Sequence, residues 1–290
     1  MFAYARPREL DEALGLLSGT PDARPLLGGT DLIVGLRKGK LRPSLVVDLK
    51  EIDELQPRIT ERDDALRISA GTVMTQVIAD GRIRRHFPAL VEAALTVGSI
   101  QIRNRATLAG NLCNASPAAD TAPPLLVYGA RVEIAGTAGR RTVDVADFFV
   151  GPGQTSLVPG ELIIAVELPL PGEPTGSAFE RLTRRRGVDL ATISVACHVS
   201  ADGATRFAFG AAAPRPLVVA DESGALARAN GRAEEEGALR TLTAATSPIS
   251  NVRASREYRE AMLVVLSRRA LARARDRLAE HLAAGDGRVV

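Results

Sequence analysis

The chain has 290 residues, a length that allows roughly two domains of about 150 residues each. With 46% hydrophobic residues, 24% charged residues and a formal net charge of +3, the composition is that of a globular protein and excludes a disordered one. Aromatic residues make up only 3% of the chain, which leaves few rings for stacking on bases and argues against a nucleic-acid partner.

The first half of the chain is predicted to alternate helices and strands. Residues 7–17 carry apolar side chains on one helical face, and a short strand over residues 25–27 leads through paired glycines into a helix over residues 30–38. A strand over residues 44–49 completes a β-turn-α-β unit. Further apolar patterns predict strands over residues 65–70, 131–135 and 162–168 and helices over residues 73–80 and 88–97.

Residues 98–124 consist of small and polar residues with neither a clear strand period nor a clear helix period, so the segment is either functional or contains elements that this pattern does not reveal. Residues 168–176 hold three prolines and two glycines and are the predicted domain boundary. Beyond it, a small sheet followed by helices is predicted, with a hairpin turn at Asp202-Gly203. The predicted strands cover residues 176–183, 190–200 and 205–211, and the predicted helices cover residues 222–229, 234–245 and 254–284.

The cysteines and histidines indicate where in the cell the chain is located and whether it can bind a metal. Cys113 and Cys197 lie far apart and outside any CxxC pair, which excludes a disulfide framework, a zinc site and an iron–sulfur cluster in this chain. The three histidines have no metal-ligand spacing. The N-terminus lacks the apolar core of a signal peptide, and no stretch approaches the roughly 18 apolar residues of a membrane span. A soluble cytoplasmic protein without a metal site is therefore expected.

The first motif is LLGGTDLIVG at residues 26–35. A strand that runs into Gly28 and Gly29 and then into a helix start lets backbone N–H groups approach an anion such as a pyrophosphate. Thr30 is expected either to cap the helix or to bond a ligand, and Asp31 is favourable at a helix start with or without one. A plain tight turn explains the paired glycines equally well.

The second motif is ATLAGNLCNASPAAD at residues 106–120. Its small residues allow a ligand to approach the backbone, Thr107 and Asn111 supply short hydrogen-bonding groups, and Asp120 can accept hydrogen bonds from the hydroxyls of a ribose or ribityl chain. Ordinary turn formation, with Asp120 capping the next helix, is the alternative. Two such segments in one domain favour a ligand that contains a diphosphate.

Four segments of the chain together resemble the FAD-binding medium subunit of the molybdenum hydroxylases, which include xanthine and carbon monoxide dehydrogenases. They are LGGTDL, QIRNRATLAGNLCNASPAADTAPPLL, FFVGPGQTSLVPGELIIAVELPLP and PISNVRASREYREAML. The resemblance implies an α+β chain. A two-part FAD-binding domain of the vanillyl-alcohol-oxidase type would cover residues 1–172, with subdomains of about 1–56 and 57–172. A smaller α+β domain with a three-stranded antiparallel sheet and helices would cover residues 173–290.

The resemblance also assigns roles to residues that match the family motifs. The first motif would wrap the FAD pyrophosphate, the second would complete that site, and Asp120 would hold the sugar-like chain of FAD. Val97 and Ile164 match aliphatic positions near the isoalloxazine ring, and Arg181 stands near the position of a family lysine. The residues of the two motifs are Leu27, Gly28, Gly29, Thr30, Asp31 and Leu32, and Thr107, Leu108, Ala109, Gly110 and Asn111.

Two features depart from the family pattern. Ala109 stands where the family usually has glycine, so its methyl either displaces the backbone from the phosphate or points harmlessly away. No histidine lies in either motif, and Cys113 is expected to be a small buried residue rather than a flavin linkage. The resemblance therefore implies non-covalent FAD.

The resemblance implies partners, because this chain has neither cluster cysteines nor a molybdopterin site. A large subunit would hold molybdopterin, a small subunit would hold [2Fe-2S] clusters, and FAD here would pass electrons to an external acceptor in a dimer of heterotrimers. The arginine-rich stretch from Arg253 to Arg277 would form partner surfaces or a solvated helix face. The alternatives are a self-sufficient flavin oxidase or dehydrogenase of the same fold and a non-catalytic assembly subunit.

Overall fold

The computed structural model describes residues 2–185 and 187–286, so the last four residues of the predicted C-terminal domain lie outside the described ones. The strands are β1 (Ala3–Ala5), β2 (Arg24–Leu26), β3 (Leu45–Asp48), β4 (Ile59–Arg62), β5 (Ala65–Ser69), β6 (Arg131–Gly136), β7 (Gly139–Asp144), β8 (Phe149–Gly151), β9 (Gln154–Thr155), β10 (Leu162–Pro169), β11 (Thr175–Leu182), β12 (Ile193–Ser200), β13 (Thr205–Gly210) and β14 (Leu217–Ala220). The helices are α1 (Leu10–Gly19), α2 (Leu32–Arg37), α3 (Met74–Ala79), α4 (Gly81–His86), α5 (Pro88–Leu95), α6 (Ile100–Arg103), α7 (Leu108–Cys113), α8 (Ala122–Val127), α9 (Val145–Phe148), α10 (Ala225–Arg228), α11 (Arg232–Thr243) and α12 (Arg256–Asp286).

The chain divides into two compact units. The first comprises residues 1–80, 97–115 and 130–169, and the second comprises residues 81–96, 116–129 and 170–290. Two segments of the N-terminal half thus belong to the same unit as the C-terminal third. No helix in the described part of the chain is long and apolar enough to cross a membrane.

The first unit contains two main sheets. Strands β1, β3 and β2 form a parallel sheet with β3 in the centre, as expected for a β-turn-α-β unit. The larger sheet has the order β4-β5-β10-β6-β7 and is antiparallel throughout. Its central strands are covered on both faces, and Arg67 on β5 is accommodated there by donating from Nε and Nη2 to the Glu133 carboxylate at 2.7 Å. A buried charge is tolerated when it is paired in this bidentate way.

The second unit packs helices against an antiparallel sheet of order β11-β12-β13-β14. The inward residues of β12 and the apolar stripe of α12 form a continuous core that includes Val195, Cys197, Leu263 and Leu271. The expectation of three strands is corrected to four. Strand β14 has only four half-buried residues and directly follows Pro216, so it carries no alternating signal.

Three arginines late in α12 form ion pairs with carboxylates of the same unit. Arg277 donates to the Glu92 carboxylate at 2.5 Å, Arg273 donates to the same carboxylate, and Arg275 donates to Glu235 at 2.6 Å. A solvated helix face is therefore the wrong interpretation for these three residues. They are half-buried ties that fasten α12 within the second unit.

Residues 98–124, for which no element is predicted, contain α6, α7 and α8. Each has six residues or fewer, which is too short for a 3.6-residue period to show in the sequence. The strands that the sequence pattern misses are edge strands, among them β1, β4 and β7. Because their side chains are largely exposed, apolar and polar residues need not alternate in them.

Candidate functional site

The first motif forms the connection between β2 and α2. Gly29 has φ +74°, a left-handed conformation that glycine adopts at little cost. Helix α2 begins at Leu32, with Asp31 at the N-cap position and making no side-chain cap bond within the described chain. The helix has only six residues, fewer than predicted, so its dipole adds little to anion binding. Exposed backbone N–H groups remain as the chemistry that the loop offers.

The second motif contains the whole of α7 and the loop that follows it. The Thr107 hydroxyl caps this helix by accepting a hydrogen bond from the Gly110 N–H at 3.0 Å. Leu108 and Ala109 are buried, whereas Gly110 is exposed and Asn111 is half-buried. The Ala109 methyl is therefore packed inside the unit and leaves the backbone at Gly110 uncovered, which supports the harmless interpretation of the missing glycine.

The structure brings the two motifs into contact. A Cβ atom built on Gly28 would lie 2.2 Å from the Arg105 carbonyl oxygen, so the glycine loop rests directly on the backbone that leads into α7. That backbone is fixed from its other side, because Met74 N donates to Ala106 O at 2.9 Å and Leu108 N donates to Thr72 O at 3.2 Å. The two glycine-containing segments thus share one rigid location in the first unit.

A cavity of about 220 Å³ opens at this contact. Leu27, Gly28 and Thr107 line it together with the cationic residues Lys50 and Arg105. The Lys50 ammonium donates to the Asp48 carboxylate at 2.6 Å, which holds its position at the end of β3. The lining combines Gly28 and the two cations with apolar side chains such as Leu55 and Val73, so it suits a ligand that joins an anionic group to apolar parts.

Lys50 and Arg105 were not singled out from the sequence. Arg105 directly precedes the second motif, but nothing in its spacing places it beside Gly28, which is far away in the chain. A signal for Lys50 exists, because it follows β3 and the ends of neighbouring parallel strands form ligand sites.

Asp120 and Arg181 belong to the second unit, whereas the glycine residues of the two motifs belong to the first. Arg181 Nε lies 3.2 Å from Asp120 Oδ1, and both side chains are largely buried. The arginine donates to the carbonyl oxygens of Thr96, at 3.5 Å, and Asp189. Neither Arg181 Nε nor Asp120 Oδ1 has a hydrogen-bond partner among the described residues. The carboxylate therefore keeps a buried acceptor atom for a ligand hydroxyl.

Burial raises the pKa of Asp120 from 3.8 to about 6, against the opposing effects of the Arg181 charge and a hydrogen bond from the Thr96 side chain. Since the pKa of Asp120 is higher in the folded than in the unfolded state, protonation of this carboxyl stabilises the fold. This contribution is complete below about pH 4 and is lost as the pH rises through about 6. The Asp120→Asn variant lacks this titration. Relative to it, the wild-type chain is expected to lose about 3 kcal/mol of unfolding free energy between acidic and neutral pH. Urea unfolding of both proteins across this range measures the difference, and parallel pH profiles would contradict it.

The two aliphatic positions differ in access. Val97 is half-buried, and its carbonyl accepts a hydrogen bond from Arg103 Nη1 at 3.1 Å. Ile164 is fully buried at a register shift of β10, where its carbonyl accepts from Ala70 N at 2.9 Å. A role of either residue beside a flavin ring stays a prediction.

Cys113 agrees with its expectation in part. As a whole residue it is exposed at the end of α7, but burial of its thiol raises the thiol pKa to about 12. Cys197 lies in the core of the second unit. Neither forms a disulfide. The short helix α7 buries Leu108, Ala109 and Leu112, which leaves Cys113 on its outer side.

Two protein families match the chain. Residues 1–171 match the family described as the FAD-binding domain in molybdopterin dehydrogenase, and residues 177–274 match the CO dehydrogenase flavoprotein C-terminal domain.

Relatives of known name match over almost the whole length. The chain is 36% identical over 282 residues to the xanthine dehydrogenase FAD-binding subunit of Escherichia coli O157:H7, covering 94% of this chain and 95% of that protein. It is 32% identical over 285 residues to the carbon monoxide dehydrogenase medium chain of Afipia carboxidovorans, covering 95% and 97%. Among solved structures it is similar to the carbon monoxide dehydrogenase of Hydrogenophaga pseudoflava, with a TM-score of 0.87, 30% identity and coverage of 95% of this chain and 98% of that one.

Proposed function

The chain belongs to the family of flavoprotein subunits that carry the FAD-binding domain of molybdopterin dehydrogenases, and we propose from this membership how its residues hold FAD and which partners it serves. It is an FAD-binding, electron-transferring subunit of a multi-subunit oxidoreductase. The observation that carries the site assignment is that Gly28 of the first motif and Thr107 of the second line one cavity, with the Gly28 loop resting on the Arg105 carbonyl.

The residues of the first unit fit the diphosphate of FAD. Gly28 and Gly110 present backbone that a side chain would cover or displace, since added Cβ atoms would meet Arg105 O at 2.2 Å and Thr107 Oγ1 at 2.9 Å. We assign Leu27–Leu32 and Thr107–Asn111 to this part of FAD, with Arg105 supplying positive charge. The function of these residues is to bind the anion and fix its orientation through backbone N–H groups.

We assign Asp120 as an acceptor for hydroxyl groups of the sugar-like chain of FAD. Its Oδ1 has the Arg181 ion pair but accepts no hydrogen bond, which supports this role because a buried carboxylate oxygen gains a hydrogen bond when a hydroxyl donates to it. Arg181 keeps a positive charge 3.2 Å from this oxygen and favours the ionised carboxylate. We assign Val97 and Ile164 to the surroundings of the ring.

FAD, when bound, supplies the redox chemistry, accepting electrons from iron–sulfur clusters and passing them to an external acceptor. The residues of this chain bind and orient the cofactor, and none is assigned a role in breaking bonds of a substrate. We assign the [2Fe-2S] clusters to a small partner subunit and molybdopterin to a large one, in a dimer of such heterotrimers. Two free cysteines support a reducing, cytoplasmic location.

We also propose that FAD is bound chiefly by residues 1–172, with subdomains of about 1–56 and 57–172, and that residues 173–290 form the C-terminal domain of the subunit. The Pro- and Gly-rich stretch at residues 168–176 supports this boundary. The segments at 81–96 and 116–129 pack with the C-terminal residues, so the boundary in sequence differs from the division into compact units.

The isolated chain is expected to take up FAD without a covalent bond. Purified protein should show the absorption of oxidised flavin, and acid precipitation should release the flavin into the supernatant, because neither motif contains a histidine and Cys113 is the only cysteine near them. Flavin that stays in the precipitate would contradict this result. Oxidation of a substrate by the isolated chain would favour a self-sufficient flavin enzyme, and failure to take up FAD would favour an assembly subunit.

A further inference from the structure

Ala211, the residue that follows β13, has a strained backbone. Its φ is +57°, in the left-handed region that alanine rarely adopts because its Cβ atom comes too close to the following carbonyl oxygen. A strained residue of this kind persists only where the surrounding structure holds it, and such residues cluster at functional sites. The contacts that hold Ala211 therefore indicate what the strain serves.

A buried arginine holds Ala211 from α12. Arg259 is 2% exposed, and its Nη1 atom donates to the carbonyl oxygens of Ala211, at 3.2 Å, and Thr192, at 2.5 Å. Its Nη2 atom donates to the Asn251 side chain at 2.8 Å. Within the described chain no carboxylate pairs with Arg259, and burial lowers its pKa. Because burying a guanidinium without a counter-charge is unfavourable, the fold keeps these hydrogen bonds at a cost in free energy.

Ala211 in turn holds the loop that leads to Asp120. Its backbone N–H donates to Pro117 O at 2.6 Å. The loop is closed locally by Ser116, whose side-chain oxygen accepts from Ala118 N at 3.2 Å, and Asp120 follows two residues later. A chain of hydrogen bonds thus runs from the buried arginine through the strained residue to the segment that carries the Asp120 carboxylate.

The register of the sheet sets the position of Arg181 relative to the same loop. Arg181 on β11 lies opposite Ser194 on β12, and Ser194 lies opposite Gly210 on β13, so the three residues form one row across the sheet. Ala211 directly follows Gly210, and its hydrogen bond therefore fastens the loop to the end of this row. Arg181 Nε lies 3.2 Å from Asp120 Oδ1 as a result.

We propose that Arg259 is a positioning residue for FAD, which acts through Ala211 and the loop at 116–119 to hold Asp120 where its Oδ1 atom accepts from a hydroxyl of the cofactor. The inference rests on the proposed function, because it requires Asp120 to bind FAD. The hydrogen bonds of Arg259 go to groups of the second unit, so its effect on FAD is indirect.

The test measures the dissociation constant of FAD by titrating the flavin-free, full-length chain. Arg259→Met leaves Ala211 O without its donor and should weaken FAD binding about tenfold, the factor expected when a hydrogen bond to a carboxylate is lost. Ala211→Val should have a similar effect, because a β-branched residue strongly disfavours a φ of +57°. Ala211→Gly adopts that φ at little cost and should bind FAD as the wild type does.

Asp120→Ala separates positioning from a general effect on the fold. This variant should itself weaken FAD binding about tenfold. Adding Arg259→Met to it should weaken binding by no more than about twofold further, because the acceptor that Arg259 positions is gone. A loss of stability alone would weaken binding by the same factor in both backgrounds. If circular dichroism shows that Arg259→Met is unfolded, Ala211→Val takes its place in this cycle.

Arg275→Met is the matched control and should keep the wild-type affinity. Arg275 is another half-buried arginine of α12, but it donates to Glu235 at 2.6 Å and to Leu226 O at 2.9 Å. Wild-type affinity in Arg259→Met, or an equal loss with and without Asp120→Ala, would overturn the proposal while the chain still binds FAD. Wild-type affinity in Asp120→Ala would refute the assignment of Asp120 and this inference with it. A wild-type chain that binds no FAD would refute the proposed function itself.

Discussion

Gly28→Ala is expected to remove most of the bound flavin. The new methyl would lie 2.2 Å from the Arg105 carbonyl oxygen, well inside any real contact, and this oxygen is backbone that cannot rotate away. The loop and the segment leading into α7 must separate, and overpacking of this kind costs about 1–3 kcal/mol. Since about 1.4 kcal/mol corresponds to a factor of ten in affinity, flavin retention should fall roughly tenfold or more. The ratio of flavin absorbance to protein after gel filtration measures the effect.

Gly15→Ala is the matched control for this substitution. Gly15 lies exposed within α1 of the same unit, and no described atom lies within 4 Å of an added Cβ. Alanine should raise stability by about 0.5–1 kcal/mol there and leave flavin content unchanged. If the Gly28→Ala variant kept its full flavin content, the contact between Gly28 and the Arg105 carbonyl would not be the basis of the site.

Gly176→Ala is expected to destabilise the second unit strongly. A Cβ atom on this residue of β11 would lie 1.9 Å from Ala274 O and 2.6 Å from Leu278 N, both backbone atoms of α12. The helix lies so close to the strand that only glycine fits between them, and α12 must shift away from its core. We expect a loss of about 3 kcal/mol, the upper part of the range for overpacked cores, in urea unfolding followed by circular dichroism.

Gly237→Ala provides the comparison within the same unit. Gly237 is exposed on α11, and an added Cβ would meet no described atom within 4 Å. It should stabilise the helix by about 0.5–1 kcal/mol. If Gly176→Ala were as stable as the wild type, the close approach of α12 to β11 would be wrong.

The predictability of each strand follows from its burial. Strand β10 is predicted to within one residue, because its continuous apolar run is buried in the centre of a sheet. Strand β7 leaves no such run because it is largely exposed, and β14 is a run of only four apolar residues that follows a proline. The hairpin at Asp202-Gly203 is confirmed, since β12 and β13 pair in an antiparallel way on either side of it. It was predictable because Gly203 has a left-handed φ of +88°, and a glycine in the sequence indicates such a conformation directly.

The parts of the candidate site that depend on local backbone conformation were predictable from the sequence. The parts that depend on contacts between segments distant in the chain were not. Gly28, Gly29 and Gly110 stand out in the sequence because small residues cluster there. Arg105 lies against Gly28 because backbone hydrogen bonds between distant segments hold it there. No spacing in the sequence reveals such hydrogen bonds. The exposed position of Cys113 likewise depends on which side of α7 is buried.

Helix α8 has a consequence for how the chain must be made. All six of its residues are buried, and an added Cβ on Gly210 of β13 would lie 3.1 Å from the Pro123 ring, so its apolar surface is covered by a sheet encoded more than fifty residues later. During synthesis this helix leaves the ribosome long before its cover exists. The nascent chain therefore exposes this apolar surface until strands β11 to β13 are translated, which makes that interval the stage of synthesis at which the chain is most prone to aggregate.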